Sequence, residues 1–304
     1  MSNFILIIFC LVAGILSRKL NWINKDGYKA LNAWVLYFGL PALSFSYLPH
    51  LKWDNALLFT IACPIIVLLF SVLFFYILEK QLGISKRSSH TLMLVAGLSN
   101  TSFVGFPLIS AYFGVDKLPI GIVSDQTTFF LLSTIGVVVA TKGSLNNKQK
   151  VGLSFILKRV FTFPPLIGCL LALTIPKLFD ISALDDFFHM ISSTISPIAL
   201  FSIGLQLNFN IVKTEIPNLT YALIYKLILA PLIVFSLAYW IGGKEEIMKI
   251  SVFEMAMPTL VATSIVINQF KLNSKLGNSV IGLSIPLSLI TTYVWFKIME
   301  LFIL

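Results

Sequence analysis

Long apolar stretches alternate with short polar connections along the whole chain. Ten such stretches, at about 3–17, 31–49, 55–78, 91–113, 118–141, 153–175, 187–208, 217–241, 247–270 and 276–303, each predict a helix reaching across ~30 Å of hydrocarbon. The longest polar connection, about Thr141 to Lys150, leaves no room between spans for a soluble domain. Two stretches are interrupted, the fourth by Asn100 and Pro107 and the ninth by Pro258. Unwound backbone inside a bilayer survives only where protein buries it or a cavity takes it up, so paired interruptions point to a binding site near mid-membrane.

Composition supports the membrane reading, because 57% of the 304 residues are apolar, 12% are charged and the mean hydropathy is +0.92. The stretch Asn3 to Ser17 has no basic residue ahead of it and carries Arg18 and Lys19 behind it, which reads as a retained first span rather than a secretory signal. Basic residues after it hold its far end in the cytoplasm and put the N-terminus outside. On that topology the inner connections hold Arg18, Lys19, Lys25 and Lys29; Lys80, Lys86 and Arg87; Lys142, Lys148, Lys150, Lys158 and Arg159; Lys213; and Lys271 and Lys275. The outer ones hold Lys52, Lys117, Lys177, Lys244 and Lys249. This bias predicts a multi-pass protein of the plasma (inner) membrane with both termini outside. It also accounts for the net charge of +9 without a nucleic-acid partner.

Cys10, Cys63 and Cys169 fall inside apolar spans without metal-site spacing, and His50, His90 and His189 lie near span ends, so neither set predicts a metal centre or a catalytic group. Trp22, Trp34, Trp53 and Tyr47 read as anchors at the headgroups.

Internal repetition sets the expected architecture. Pro41-Ala-Leu-Ser-Phe45-Ser46 matches Pro197-Ile-Ala-Leu-Phe201-Ser202 at an offset of 156, and Lys117-Leu118 matches Lys275-Leu276 at an offset of 158, which sets Asn100 opposite Pro258. Residues 1–150 and 151–304 are therefore expected to be two five-helix repeats. An odd number of spans per repeat makes the second copy enter from the opposite side, giving inverted repeats.

In the fourth stretch, Ser99, Asn100, Thr101 and Ser102 stand where lipid-facing sequence would have Leu or Ile, and Pro107 removes a backbone donor. These side chains either face a substrate or bond back to their own kinked helix. The matching break at Glu254-Met-Ala-Met-Pro258-Thr259 favours the substrate, and half-helix N-termini meeting at mid-membrane favour an anion.

The run Gly97-Leu-Ser-Asn100-Thr-Ser-Phe103-Val-Gly105-Phe106-Pro107-Leu, the segment Pro197-Ile-Ala-Leu-Phe-Ser-Ile-Gly204-Leu, and Glu254-Met-Ala-Met-Pro258 followed by Ile281-Gly-Leu-Ser resemble the auxin efflux carrier family, over essentially the whole chain. That family includes plant PIN-type carriers and bacterial permeases described for malate and malonate. The resemblance implies an all-α, ten-span fold like that of the sodium/bile-acid symporters. Spans one, two, six and seven would form a scaffold, spans three to five and eight to ten a mobile transport domain, and helices four and nine would cross at the substrate. Carried over, Asn100 would contact a substrate carboxylate, and Pro107 and Pro258 would break the crossing helices. Two features of plant members are missing, the long hydrophilic central loop and the charged pair of the third span, so neither plant-style phosphorylation control nor auxin itself is expected.

Ionisable residues at membrane depth are functional candidates by default. Asp125, Lys226 and Glu254 fall in spans five, eight and nine. They either hold the domain together as buried pairs, or Lys226 is a countercharge for the anion while Asp125 or Glu254 takes up a proton or sodium ion. Four-residue spacing puts Glu254 and Pro258 on one helix face. Pro41 and Pro197 read as matched kinks, with Ser46 and Ser202 in the functional variant lining the scaffold side of the cavity.

The resulting expectation is a secondary transporter of small organic anions such as carboxylates, with substrate-facing Asn100, Thr101, Ser102, Pro107, Pro258, Thr259, Ser46 and Ser202. No resident cofactor or metal is expected, coupling to H+ or Na+ is open, and a homodimer through the scaffold helices is the expected assembly. No glycine-rich phosphate loop followed by Lys and Ser or Thr is present, which argues against ATP-driven transport. The competing class is a membrane-embedded sensor or an intramembrane enzyme, which would move no substrate.

Overall fold

A computed structural model describes residues 2–24, 26–51, 53–144, 152–207, 213–243 and 245–302. Of the basic residues that set the expected topology, Lys25, Lys52, Lys148, Lys150 and Lys244 lie outside them, as does the side chain of Lys213. Among the described residues the chain is helical throughout, with no β-strand beyond one isolated bridge.

The helices are α1 (Ser2–Lys19), α2 (Gly27–His50), α3 (Leu57–Leu82), α4 (Lys86–Gly97), α5 (Phe106–Tyr112), α6 (Val115–Gly143), α7 (Leu153–Phe161), α8 (Pro164–Leu178), α9 (Ser182–Gln206), α10 (Ile216–Ile241), α11 (Glu245–Met255), α12 (Thr263–Gln269) and α13 (Ser274–Phe302). Six of them, α2, α3, α6, α9, α10 and α13, are long and apolar enough to cross a membrane, and α7 with α8 makes a seventh if that pair, bent by 61°, is one span. The 26 residues of α3 extend roughly 39 Å at 1.5 Å per residue. The interrupted fourth and ninth stretches are each two short helices, α4 with α5 and α11 with α12, because three or more residues between the halves leave the helical path.

Among the described residues four wide π turns interrupt the ladder, at Val35–Gly39, Thr101–Gly105, Leu132–Gly136 and Tyr225–Leu229. A π turn loosens the i→i−4 bonds, and polar side chains take up the released groups. At Tyr225–Leu229 the Trp295 indole N–H donates to the Leu227 carbonyl at 3.0 Å. The Tyr225 hydroxyl donates to Val67 O at 2.7 Å, which ties α10 to α3.

The chain divides into two compact units. The first gathers 1–53, 102–122 and 159–207; the second gathers 54–101, 123–158 and 208–304. In the first, α1 and α9 cross at glycines: a Cβ on Gly14 would stand 2.3 Å from the Phe201 carbonyl oxygen and 2.9 Å from the Gly204 Cα. Only residues without a side chain permit two membrane helices to pack that closely. Stacked Phe45 and Phe188, with ring centroids 4.6 Å apart, join α2 to α9.

In the second unit the core lies around α3, α4, α10, α11 and α13. Ser71 Oγ donates to Met93 O at 3.0 Å and Ser89 Oγ to Phe75 O at 3.2 Å, binding α3 to α4. Gly83, in the left-handed region at φ 65°, ends α3, and Ser85 caps α4 by accepting from the Ser88 N–H at 3.2 Å. The short turn between them aims α4 back along α3 and delivers its C-terminal end to the break at Leu98.

Candidate functional site

The two breaks meet inside the second unit. Leu98 to Asn100 run extended after α4, and Pro258 to Leu260 run extended after α11, with Ser99 and Thr259 facing as an antiparallel bridge. The Asn100 N–H donates to Pro258 O at 2.8 Å, and the Leu260 N–H donates to Leu98 O at 3.0 Å. A non-helical backbone in hydrocarbon needs partners for its amides and carbonyls, and here each broken segment supplies them to the other. Thr259 adds two more anchors: its hydroxyl donates to Val95 O at 2.7 Å, and its N–H donates to Ser284 Oγ at 3.2 Å. Asn100 and Pro258, the two residues aligned by the sequence offset of 158, are thus in direct backbone contact.

The position of the first break differs from the sequence expectation in one respect. The chain leaves the helix at Leu98–Asn100, whereas Pro107 occupies the opening turn of α5, where its missing N–H would have no helical partner anyway. Its effect falls upstream, where the π turn Thr101–Gly105 accommodates the ring. Likewise α11 ends at Met255, so Glu254 stands in its last turn and Pro258 lies beyond it; the two do not share a helix face.

Around this crossing stands a buried ionisable set. Lys226, fully buried in the π turn of α10, donates from Nζ to Ser99 Oγ at 2.5 Å. Thr101 donates from Oγ1 to Asp125 Oδ1 at 2.7 Å. Ser99 and Thr101 are thus both drawn outward to other helices, one to a cation and one to a carboxylate, and neither bonds back to its own helix. Glu254 is fully buried and within electrostatic reach of both Asp125 and Lys226, yet among the described residues neither of its carboxylate oxygens has a hydrogen-bond partner. Fully charged, the three groups sum to one negative charge.

Between Ser99 and Thr101 sits Asn100, with no exposed surface and with neither Oδ1 nor Nδ2 hydrogen-bonded among the described residues. A buried polar group left unsatisfied costs ~1–3 kcal/mol, and this side chain offers two donors and one acceptor. Its backbone is held rigidly by Pro258, so the fold fixes where the amide stands while giving it nothing to bond. Ser124 Oγ, next to Asp125, is in the same condition.

Other candidate residues lie elsewhere. Ser46, Ser102, Pro107 and Ser202 belong to the first unit. Ser46 Oγ lies 3.4 Å from Ser192 Oγ, and Ser202 Oγ donates to Asn32 Oδ1 at 2.5 Å while accepting from Gln206 Nε2 at 3.2 Å. Ser102 Oγ is buried without a hydrogen-bond partner among the described residues. Pro107 lines a cavity of about 210 Å³ with Tyr47, Ser110, His189, Ser192 and Ser196. Ser99, Ser124 and Thr259 contribute more to the crossing than sequence pattern alone suggests. A hydroxyl flanking Asn100 and one flanking Asp125 were the available signals.

A helical membrane chain with a polar, ionisable crossing of two broken segments at its centre has the construction of a solute carrier. The chain belongs to the membrane transport protein family, whose model matches residues 1–296; this is the auxin efflux carrier family that the fourth-span run resembles. It is 24% identical over 304 residues to an uncharacterized transporter of Methanocaldococcus jannaschii, covering 97% of each chain. To one of Methanothermobacter thermautotrophicus it is 22% identical over 297 residues, covering 95% of each. The Escherichia coli transporter YfdV is 22% identical over 306 residues, covering 97% of this chain and 96% of its own. The protein is therefore a multi-pass membrane transporter.

Proposed function

We propose that the protein is a secondary transporter of small organic anions, carboxylates or dicarboxylates, recognised at the crossing by Asn100. The observation that carries this reading is the Asn100 side chain, fully buried and without a hydrogen-bond partner among the described residues, on a backbone pinned to Pro258. Two amide N–H donors suit a carboxylate oxygen, and Lys226, bonded to the neighbouring Ser99, supplies positive charge close by.

Charge balance favours coupling. Asp125 and Glu254 would repel an anion unless one of them is neutralised, so a proton or sodium ion taken up by Glu254 accompanies the substrate in this reading. In the alternating-access scheme implied by the resemblance, spans three to five and eight to ten move as a body, an elevator-type motion, within a fold of ten spans in two inverted repeats. The scaffold helices α1, α2, α8 and α9 share one compact unit, which fits this scheme in part, since that unit also takes in residues 102–122 of the fourth and fifth spans.

Flux of labelled dicarboxylates into proteoliposomes tests the reading. Saturable uptake that Asn100→Ala weakens, in a variant that still folds, is the expected result. No flux of any mono- or dicarboxylate, with or without sodium and across pH, would overturn the carboxylate assignment and leave a transporter of another substrate class.

A further inference from the structure

The second unit carries an open groove of about 840 Å³ that the crossing does not use, formed by α3, α4 and α6. Its walls are apolar and outward-facing: Leu69, Leu73 and Tyr76 of α3 are each about half exposed, and Val138 of α6 is 40% exposed. Met93 and His90 of α4 form its floor, with the His90 Nδ1 held 2.9 Å from Lys86 O.

The charge lies at one end. Lys80 stands two residues before the end of α3, Lys86 opens α4, and Lys142 is the penultimate residue of α6, so three ammonium groups ring the same mouth of the groove. None of the three makes an ion pair among the described residues, and Lys80 rests over the Tyr76 ring at 5.6 Å. Glu79 is the single carboxylate in the lining, 3.9 Å from His90 Nδ1, which leaves the mouth positive by two.

We propose that this groove seats one anionic phospholipid, its phosphodiester among Lys80, Lys86 and Lys142 and an acyl chain along Leu69, Leu73 and Val138. An apolar trough open to the side at membrane depth excludes a polar partner, because nothing there would satisfy its backbone. A basic cluster at only one end of such a trough matches a molecule with one charged end and a long apolar tail. A free anion would use the lysines and leave the trough empty; a zwitterionic lipid would use the trough and gain little from the lysines. The lipid proposed here uses both, and it braces α4, the helix that leads into the crossing.

The test is thermal unfolding of the purified protein in a neutral detergent with phosphatidylglycerol, phosphatidylcholine of identical chains, or glycerol phosphate added. Phosphatidylglycerol is expected to raise the melting temperature by several degrees at concentrations where the other two leave it unchanged. The triple variant Lys80→Gln, Lys86→Gln and Lys142→Gln is expected to need about tenfold more of it for the same shift. Val138→Trp, which fills the trough without altering charge, is expected to do likewise, and Lys275→Gln to behave as the parent. Where the triple variant does not fold, Val138→Trp and native mass spectrometry of the parent with the two lipids carry the test. An equal response to phosphatidylcholine, a response to glycerol phosphate, or an unaltered response in the folded variants overturns the proposal.

Discussion

Polar side chains are buried in both units, but those left without a hydrogen-bond partner gather mainly at the crossing of the second. In the first, Ser202, Asn32 and Gln206 bond with one another and Ser46 pairs with Ser192, while Ser102 at its edge is the exception, with no partner among the described residues. In the second, Asn100, Ser124 and Glu254 are fully buried and have no hydrogen-bond partner on the side-chain atoms named above, among the described residues. The difference separates polar groups that join helices from polar groups that have no such role, and the proposed function gives these a ligand. Burial alone does not make that distinction; the hydrogen-bond inventory does.

Four substitutions sharpen or break this contrast. The largest effect is expected at Gly14: Leu there drives side-chain atoms into the Phe201 carbonyl and the Gly204 backbone, and the α1–α9 crossing cannot form. Loss of a monodisperse peak in detergent is the expected readout, and normal folding would mean that this helix pair is looser than drawn. Next is Lys226→Met, which removes the cation beside Ser99 and leaves Asp125 and Glu254 without countercharge, a loss of ~3–5 kcal/mol if the set is a mutual ion cluster. A folded Lys226→Met protein that has lost only substrate affinity would instead assign the lysine to the anion.

Asn100→Ala is expected to reduce substrate affinity by about tenfold to a hundredfold, ~1.4–2.8 kcal/mol, with little change in melting temperature, since no protein hydrogen bond is lost with the side chain. A fall in stability with unchanged affinity would place Asn100 among the structural groups and erase the contrast. The smallest effect is expected from Ser202→Ala, which strips Asn32 and Gln206 of a partner at a cost of ~1 kcal/mol and leaves transport kinetics as they were.

Much of the crossing could be read from residue order. Apolar length marked the helical stretches, and two short matches at near-equal offsets drew attention to Asn100 and Pro258, which are joined by a backbone bond. Proline misled in a specific way. Of the two expected interruptions of the fourth stretch, Asn100 lies at the opening, whereas Pro107 stands in the first turn of α5, its disturbance absorbed by the π turn before it. Glu254 and Pro258 illustrate a second limit: spacing of four implies a shared face only while the helix continues, and α11 stops between them. The Lys226–Ser99 and Thr101–Asp125 bonds join residues 127 and 24 positions apart, a separation that no periodicity encodes.

The pairing of Leu98–Asn100 with Pro258–Leu260 is made entirely by main-chain atoms. Amide and carbonyl groups are common to every residue type but for proline's missing hydrogen, so this joint can persist while the side chains it displays drift. Relatives with fewer than one residue in four in common can thus keep such a clasp while presenting different side chains upon it.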